Sequence, residues 1–277
     1  MQIWVGTSGY SYEDWVGSFY PLGTRPASML GYYCRHFPLV ELNFTFYRLP
    51  TAAMLSRLAE QSPPGFQFLV KMPRTLSHEE SPAEIEPFRA AVEELQNRDR
   101  LLGLLCQLPQ ATHHSPKHRS WLETLANAYA GHRLAVEFRH RSWFQPEVPM
   151  WLKEQQLDLV SVDAPDLPNL YPRGLVESGP RIYVRFHSRS GGKWYLSDKE
   201  RYDYSYDDEA LGEWIDALKA ARAAEKVLLL FNNCRRGQAA ANAQRMRELL
   251  SRLGSEMEVV PPFAAGWDRP GQRSLFD

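Results

Sequence analysis

The chain has 277 residues, 44% of them hydrophobic, and its 32 Lys and Arg nearly balance its 33 Asp and Glu for a formal net charge of −1. That balance excludes a global field that would draw the whole surface onto nucleic acid or an anionic membrane, so any affinity for anions must be local. No segment approaches the length of a membrane span, and the opening Met1 to Gly6 has no charged leader followed by a long apolar run, so a cytoplasmic protein without a membrane partner is expected.

Short β-branched or apolar runs alternate with longer segments of helical period, the signature of βα units around a parallel sheet. Expected strands centre on Val5, Glu41, Leu69, Leu105, Val136, Val160, Val184 and Leu229. Eight strands in a chain of this length predict a closed (β/α)₈ barrel, for which about 250 residues is typical. An open doubly wound sheet would place a glycine fingerprint after the first strand, and Thr7-Ser8-Gly9-Tyr10 does not supply one. The expected organisation is one α/β barrel over 1–262, with long βα loops, and a short extended, flexible tail over 263–277.

Helix signals lie between the strands. Ser81-Pro82-Ala83-Glu84 reads as a capping box with proline at the first helical position, followed by Ile85, Phe88, Val92 and Leu95 on one face. Ser115-Pro116 opens a second helix in the same manner. Asp207 and Asp208 precede the stripe Leu211, Trp214, Ile215 and Leu218. A closing helix is expected over 238–253, with Met246, Leu249, Leu250 and Leu253 inward and Gly254 as its stop. Between Ala164 and Pro180 four prolines and a weak helical pattern predict a loop-rich crossover.

Polar residues gather at the carboxyl ends of the strands: Glu41 and Asn43, Lys71, Gln107, Glu137 and Arg139, Asp163, Arg185 and His187, Asn232 and Asn233. In a barrel these ends meet at one rim, where barrel enzymes carry their active sites. Glu137 with Arg139, Glu41 with Asn43, and Arg185 with His187 each lie two apart and share a face of their strand. A structural alternative is an ion-pair layer that closes the barrel mouth and does nothing else. The loops Ser188 to Lys193 and Cys234 to Gly237 are basic and glycine-bearing, so Arg189, Lys193 and Arg235 are candidate phosphate ligands; the alternative is a pair of solvated turns.

Glu41, Glu137, Asp163 and His187 are also donors suited to a divalent metal, although no two share a short ligand spacing; otherwise no cofactor is expected. Glu41 and Glu137 are a possible glycosidase pair. His113, His114 and His118 read as solvated loop and helix-start residues. Aromatic residues surround the expected rim, among them Tyr10, Tyr12, Trp15, Phe19, Tyr20, Tyr47, Trp143, Trp194 and Tyr195; Tyr47 and Trp143 are taken as substrate walls, and each could equally pack the loops together. Cys34 and Cys106 read as core thiols and Cys234 as a spectator, with no disulfide or zinc spacing among the three.

At these positions the chain resembles the family catalogued as domain of unknown function 72, also called YecE-like. The resemblance runs nearly end to end through Val5 to Tyr10 with Trp15 and Phe19-Tyr20-Pro21, Val40 to Tyr47, Phe68 to Lys71, Gln107-Leu108-Pro109, Val136 to His140 with Ser142-Trp143, Tyr183 to His187, and Phe231 to Asn233. It implies a TIM-like barrel and brings no settled activity. Ser188 stands where a glycine is expected and Ser77 where a threonine is expected.

Gln272-Arg273-Ser274-Leu275-Phe276 resembles the short peptide by which bacterial replication and repair proteins dock on the sliding clamp, with Gln272, Leu275 and Phe276 as anchors and Arg273 departing from the usual leucine. The alternative is a tail folded onto the barrel. The expected function is acid/base chemistry of hydrolase or lyase type on an anionic substrate such as a nucleotide, sugar phosphate or nucleic-acid fragment. Glu137 or Glu41 would be the acid or base, Lys71, Arg139 and Arg185 would hold negative charge, His187 would shuttle a proton, Asn232 and Asn233 would orient substrate, and Asp163 would hold a basic partner. The other class of function is a non-catalytic adaptor recruited to replication or repair through the tail.

Overall fold

The computed structural model describes residues 1–221, 223–254 and 257–263. Eight parallel strands follow one another around a closed ring: β1 Gln2–Ser8, β2 Leu39–Leu42, β3 Gln67–Lys71, β4 Leu101–Gln107, β5 Leu134–Glu137, β6 Leu157–Asp163, β7 Arg181–Phe186 and β8 Lys226–Phe231. The ring closes where β1 pairs with both β8 and β2. Around it lie α1 Pro26–Cys34, α2 Phe44–Tyr47, α3 Ala52–Glu60, α4 Arg74–Ser77, α5 Ile85–Gln96, α6 Pro116–Ala128, α7 Val148–Glu154, α8 Asp198–Arg201, α9 Asp208–Ala220 and α10 Gln238–Ser251. The fold is the expected TIM-like barrel, and no helix among the described residues is long and apolar enough to cross a membrane.

The seam between β1 and β2 is short. Only Thr7 with Val40 and Ser8 with Glu41 pair there, and a Cβ on Gly6 would stand 2.5 Å from the Leu39 carbonyl oxygen, so the close approach needs glycine. Lower on the same edge a ninth strand, β9 Glu258–Val259, pairs with Gln2 and Ile3, an element that its two-residue length hid from the sequence pattern.

The helix signals resolve individually. The Ser115 hydroxyl accepts from the His118 amide and the Asp207 carboxylate from the Ala210 amide, as N-caps do. Ser81 makes no cap: a 3₁₀ turn over Pro82–Glu84 comes first and puts Glu84 at the N-cap of α5, too far along for the serine to reach its free amides. Phe88, Val92 and Leu95 are buried as the period required. Met246 and Leu250 are buried on α10, whereas Leu253 is exposed, because α10 stops at Ser251 and Gly254 turns with φ of +79°. Residues 164–180 form no helix, in keeping with their prolines.

Register fixes which side chains enter the barrel. Ser8 pairs with Glu41, Glu41 with Leu69, Lys71 with Leu105, Gln107 with Glu137, and Val162 with Arg185, so each series lies on one side of the sheet. Hydrogen bonds from Arg185 to Ser8, Glu41 and Glu137, on other strands of the ring, show that this side is the interior.

Candidate active site at the carboxyl ends of the strands

The upper interior of the barrel is built on Arg185. Its guanidinium donates to Glu41 through Nε at 2.9 Å and Nη2 at 2.6 Å, and to Glu137 Oε2 through Nη1 at 2.5 Å. Tyr183, one interior position lower on β7, donates its hydroxyl to Glu41 Oε2. All four side chains are buried. Two carboxylates on one guanidinium leave surplus negative charge. Arg139 supplies the balance: its Nε lies 2.5 Å from Glu137 Oε1, close enough for charge attraction although not aligned for a hydrogen bond. Burial alone would raise the Glu137 carboxyl, but Arg139 and Arg185 outweigh it and hold the group well below the usual carboxylate range.

His187 sits against the same glutamate, with Nε2 at 3.2 Å from Glu137 Oε1. Asn232 Nδ2 lies 3.0 Å from Nδ1; with the amide as donor, the ring proton is on Nε2, beside the carboxylate although not aligned for a hydrogen bond with it. Burial, reinforced by Arg139, pushes the imidazole down to about 3, toward its neutral form.

Above this layer opens a cavity of about 820 Å³. Of the residues expected at the site, Asn43, Tyr47, Lys71, Gln107, Arg139, Arg185, Asn232 and Arg235 line it. Among them Lys71 carries the buried amine. Its Nζ donates to Gln107 Oε1 at 2.9 Å and lies 4.2 Å from the centroid of the Phe46 ring. Thr45 Oγ1 donates to the Lys71 and Leu42 carbonyls, which seats the single turn α2 over β3 and brings Phe46 above the amine. Asn43 precedes that turn without capping it, and its Oδ1 has no hydrogen-bond partner among the described residues. Burial and the nearby Arg185 push the Lys71 amine down to about 7, against the pull of Glu41 and Glu137.

Glu41, Glu137 and His187 lie behind the Arg185 layer and do not line the cavity. The expected metal and glycosidase sets are not assembled: a guanidinium stands between the two carboxylates, and no group of three or more His, Cys, Asp or Glu among the described residues is placed to hold a metal. Asp163 and Asn233 point the other way, each one residue out of phase with an interior position, Val162 or Asn232. Asp163 accepts from Arg189, Tyr206 and Trp214, binding the strand end to α9, and Asn233 donates to the Tyr204 carbonyl and to Asn242. Arg189 is thereby committed, pairing also with Glu213, and Lys193 reaches the Asp203 carbonyl at 3.5 Å, so of the three candidate phosphate ligands only Arg235 faces the cavity. Trp143 is fully buried: a 3₁₀ turn over Arg141–Trp143 carries it to the outer face of β5, where it stacks on Phe138 and donates Nε1 to the Thr112 carbonyl. The tail residues Gln272, Leu275 and Phe276 lie outside the described residues.

Several cavity residues carried too little signal in the sequence. His78 comes seven residues after Lys71 in the same βα loop, and burial followed by Lys71 pushes it down to about 4. Lys199, Arg201 and Tyr202 come from the long segment between β7 and β8; Arg201 Nε donates to the Trp194 carbonyl. Cys234 lines the cavity too, but burial pushes its thiol up to about 12. Trp15, by contrast, packs the first loop, donating Nε1 to the Cys234 carbonyl. His113 stacks on His140 with centroids 3.7 Å apart, and His118 Nε2 lies 3.5 Å from Glu80, both outside the cavity.

Known proteins resemble the chain, several of them over almost its full length. A family model described as "Protein of unknown function DUF72" matches residues 4–265. The UPF0759 protein YunF of Bacillus subtilis (strain 168) is 29% identical over 274 residues, which cover 90% of this chain and 94% of YunF. The UPF0759 protein YecE of Escherichia coli (strain K12) is 38% identical over 77 residues, 28% of this chain and 26% of its own. A crystal structure of a DUF72 family protein from Thermotoga maritima superimposes with a TM-score of 0.84 at 36% identity, covering 91% of this chain and 100% of that one. One from Enterococcus faecalis gives 0.81 at 26% identity, covering 90% and 95%.

Proposed function

The chain belongs to the DUF72 family of proteins of unknown function, and for this member we propose an enzyme whose barrel mouth binds an anionic, phosphorylated small molecule and moves a proton on it. The observation that carries this reading is the charge of the cavity wall: Lys71, Arg139, Arg185, Lys199, Arg201 and Arg235 line it, against the two carboxylates of Glu13 and Asp14 among the described residues. Glu41 and Glu137 compensate Arg185 and Arg139 from behind, so the cationic faces point into the cavity while the balancing charges stay buried. Such a wall, concave and partly desolvated, favours a compact anion over the mixed-sign solutes around it.

The proton-transfer role passes from the glutamates to Lys71. A base held far below neutral pH by two guanidiniums has little driving force to take a proton, whereas an amine near 7 can give and take one at operating pH. Thermal unfolding in inorganic pyrophosphate, set against chloride of equal ionic strength, tests the anion site. A saturable rise in Tm with pyrophosphate, lost in an Arg139→Gln, Arg201→Gln double variant, is expected. Equal curves in the two salts would remove the reading.

A further inference from the structure

We propose that Lys71 is also a nucleophile, which condenses with the carbonyl carbon of an anionic aldehyde or ketone and holds it as a protonated imine. This deepens the anion-binding reading and rests on it for the substrate's charge; the new element is the electrophile.

The geometry is that of an amine kept ready rather than of a point charge. Lys71 is the last residue of β3, its backbone fixed by pairing with Leu105 of β4, so only the side-chain stem is free to move. The amine's hydrogen-bond partner is the Gln107 amide oxygen, and no carboxylate forms an ion pair with it among the described residues. Gln107 is itself oriented, because its Nε2 donates to the Leu108 carbonyl at 2.8 Å and so turns Oε1 toward Lys71. An amide oxygen accepts one N–H and directs the amine without stabilising the ammonium as a carboxylate would. The arginines next to it, Arg185 and Arg139, repel a charged amine, an arrangement that activates lysine nucleophiles. A lysine needed only to bind phosphate gains nothing from these neighbours.

The step balances without an oxidant or reductant. The Nζ lone pair attacks the carbonyl carbon, the C–N bond forms and the π pair moves to oxygen. A proton passing from nitrogen to that oxygen gives the carbinolamine. Protonation of the hydroxyl and loss of water then leave C=N–H⁺, with one of the two amine hydrogens retained. The cationic wall would hold the substrate's anionic group while the carbonyl meets the amine, and the imine would draw electrons from the adjacent carbon, where a proton can then be removed.

The full-length protein treated at pH 7 with pyridoxal 5′-phosphate, an anionic aldehyde, and cyanoborohydride tests this by peptide mapping. The chain has six other lysines, at 117, 153, 193, 199, 219 and 226, as internal comparators. Lys71 is expected to be modified roughly tenfold or more faster than any of them, from its larger neutral fraction, and pyrophosphate should slow it. Modification spread over the surface lysines, with Lys71 no faster, overturns the proposal, and the anion reading survives if pyrophosphate still raises Tm. Fast modification of Lys71 that pyrophosphate does not slow supports the nucleophile and removes the anion reading instead.

Discussion

Two arginines on one strand face the barrel axis at opposite ends. Arg181, at the floor, donates to the Leu102 carbonyl at 2.8 Å and lies 3.4 Å from a single carboxylate, Asp158. Room for it comes from Gly103, where an added Cβ would stand 2.7 Å from the guanidinium. Burial dominates there: it lowers Arg181 and raises Asp158, so each is pushed toward its neutral form. Arg185, at the mouth, has two carboxylates, and they overcome burial; the arginine is raised and Glu137 lowered, so each is fixed in its charged form. The floor seals the barrel with weakly coupled charge. The mouth concentrates charges fixed in their ionised forms beside a cavity.

That contrast can be broken at both ends. Arg185→Leu leaves Glu41 and Glu137 buried without their shared partner and should lower unfolding free energy by about 3–5 kcal/mol, whereas Arg181→Met, whose partner can take up a proton, should lower it by about 1 kcal/mol; urea unfolding of the two variants side by side measures the gap, and equal losses would erase the distinction. Glu137→Gln should cost roughly 1.5–3 kcal/mol near neutral pH and reshape the acid limb of stability. Because the folded carboxyl lies well below its ordinary 4.5, the unfolded chain takes up the proton first, so the contribution of Glu137 is present above 4.5 and is lost as pH falls through the folded value. His187, held near 3 instead of 6.5, also loses stability on acidification, from about 6.5 downward. The variant should therefore flatten the curve below about 4.5 and keep its slope between 4.5 and 6.5, as chemical denaturation at stepped pH will show. The smallest effect belongs to Lys71. Its folded amine titrates near 7 and its unfolded amine near 10.5, so the unfolded state binds more protons between these values. Stability of the wild type relative to Lys71→Met should rise across that window, by roughly 1–2 kcal/mol once the open cavity is allowed for. A flat difference would return Lys71 to an ordinary surface amine.

The architecture was legible because eight apolar runs and their spacing leave few alternatives to a closed barrel. The rim was legible as a place, and Glu41, Lys71, Glu137, Arg139 and Arg185 do share the interior. What failed was phase. Asp163 follows Val162 and Asn233 follows Asn232, and a one-residue step along a strand moves a side chain from the interior to the helix layer. Both phases of β6 are apolar, Leu157 and Leu159 on one side and Val160 and Val162 on the other, so the pattern alone did not say which side Asp163 shares. Trp143 failed for another reason: it sits at the end of a 3₁₀ turn after β5, where strand periodicity no longer sets which way a side chain faces. That Glu137 is held below the usual carboxylate range while the Lys71 amine is pushed down was beyond the sequence altogether, since both shifts depend on burial and on charges from strands distant in the chain.

The short seam of the ring has a consequence for the order of assembly. β1 comes first in the chain, yet it pairs with β2 at only two positions and with β8 at six, and β9 pairs with two more residues of the β2-facing edge, Gln2 and Ile3. Until residues 226–231 and 258–259 are available, the first strand is a mostly unpaired edge of the kind that recruits stray strands. Closing it requires joining segments more than two hundred residues apart in sequence, a late and slow event for a parallel ring. In the closed ring the two-residue β9 shields part of that edge, at Gln2 and Ile3.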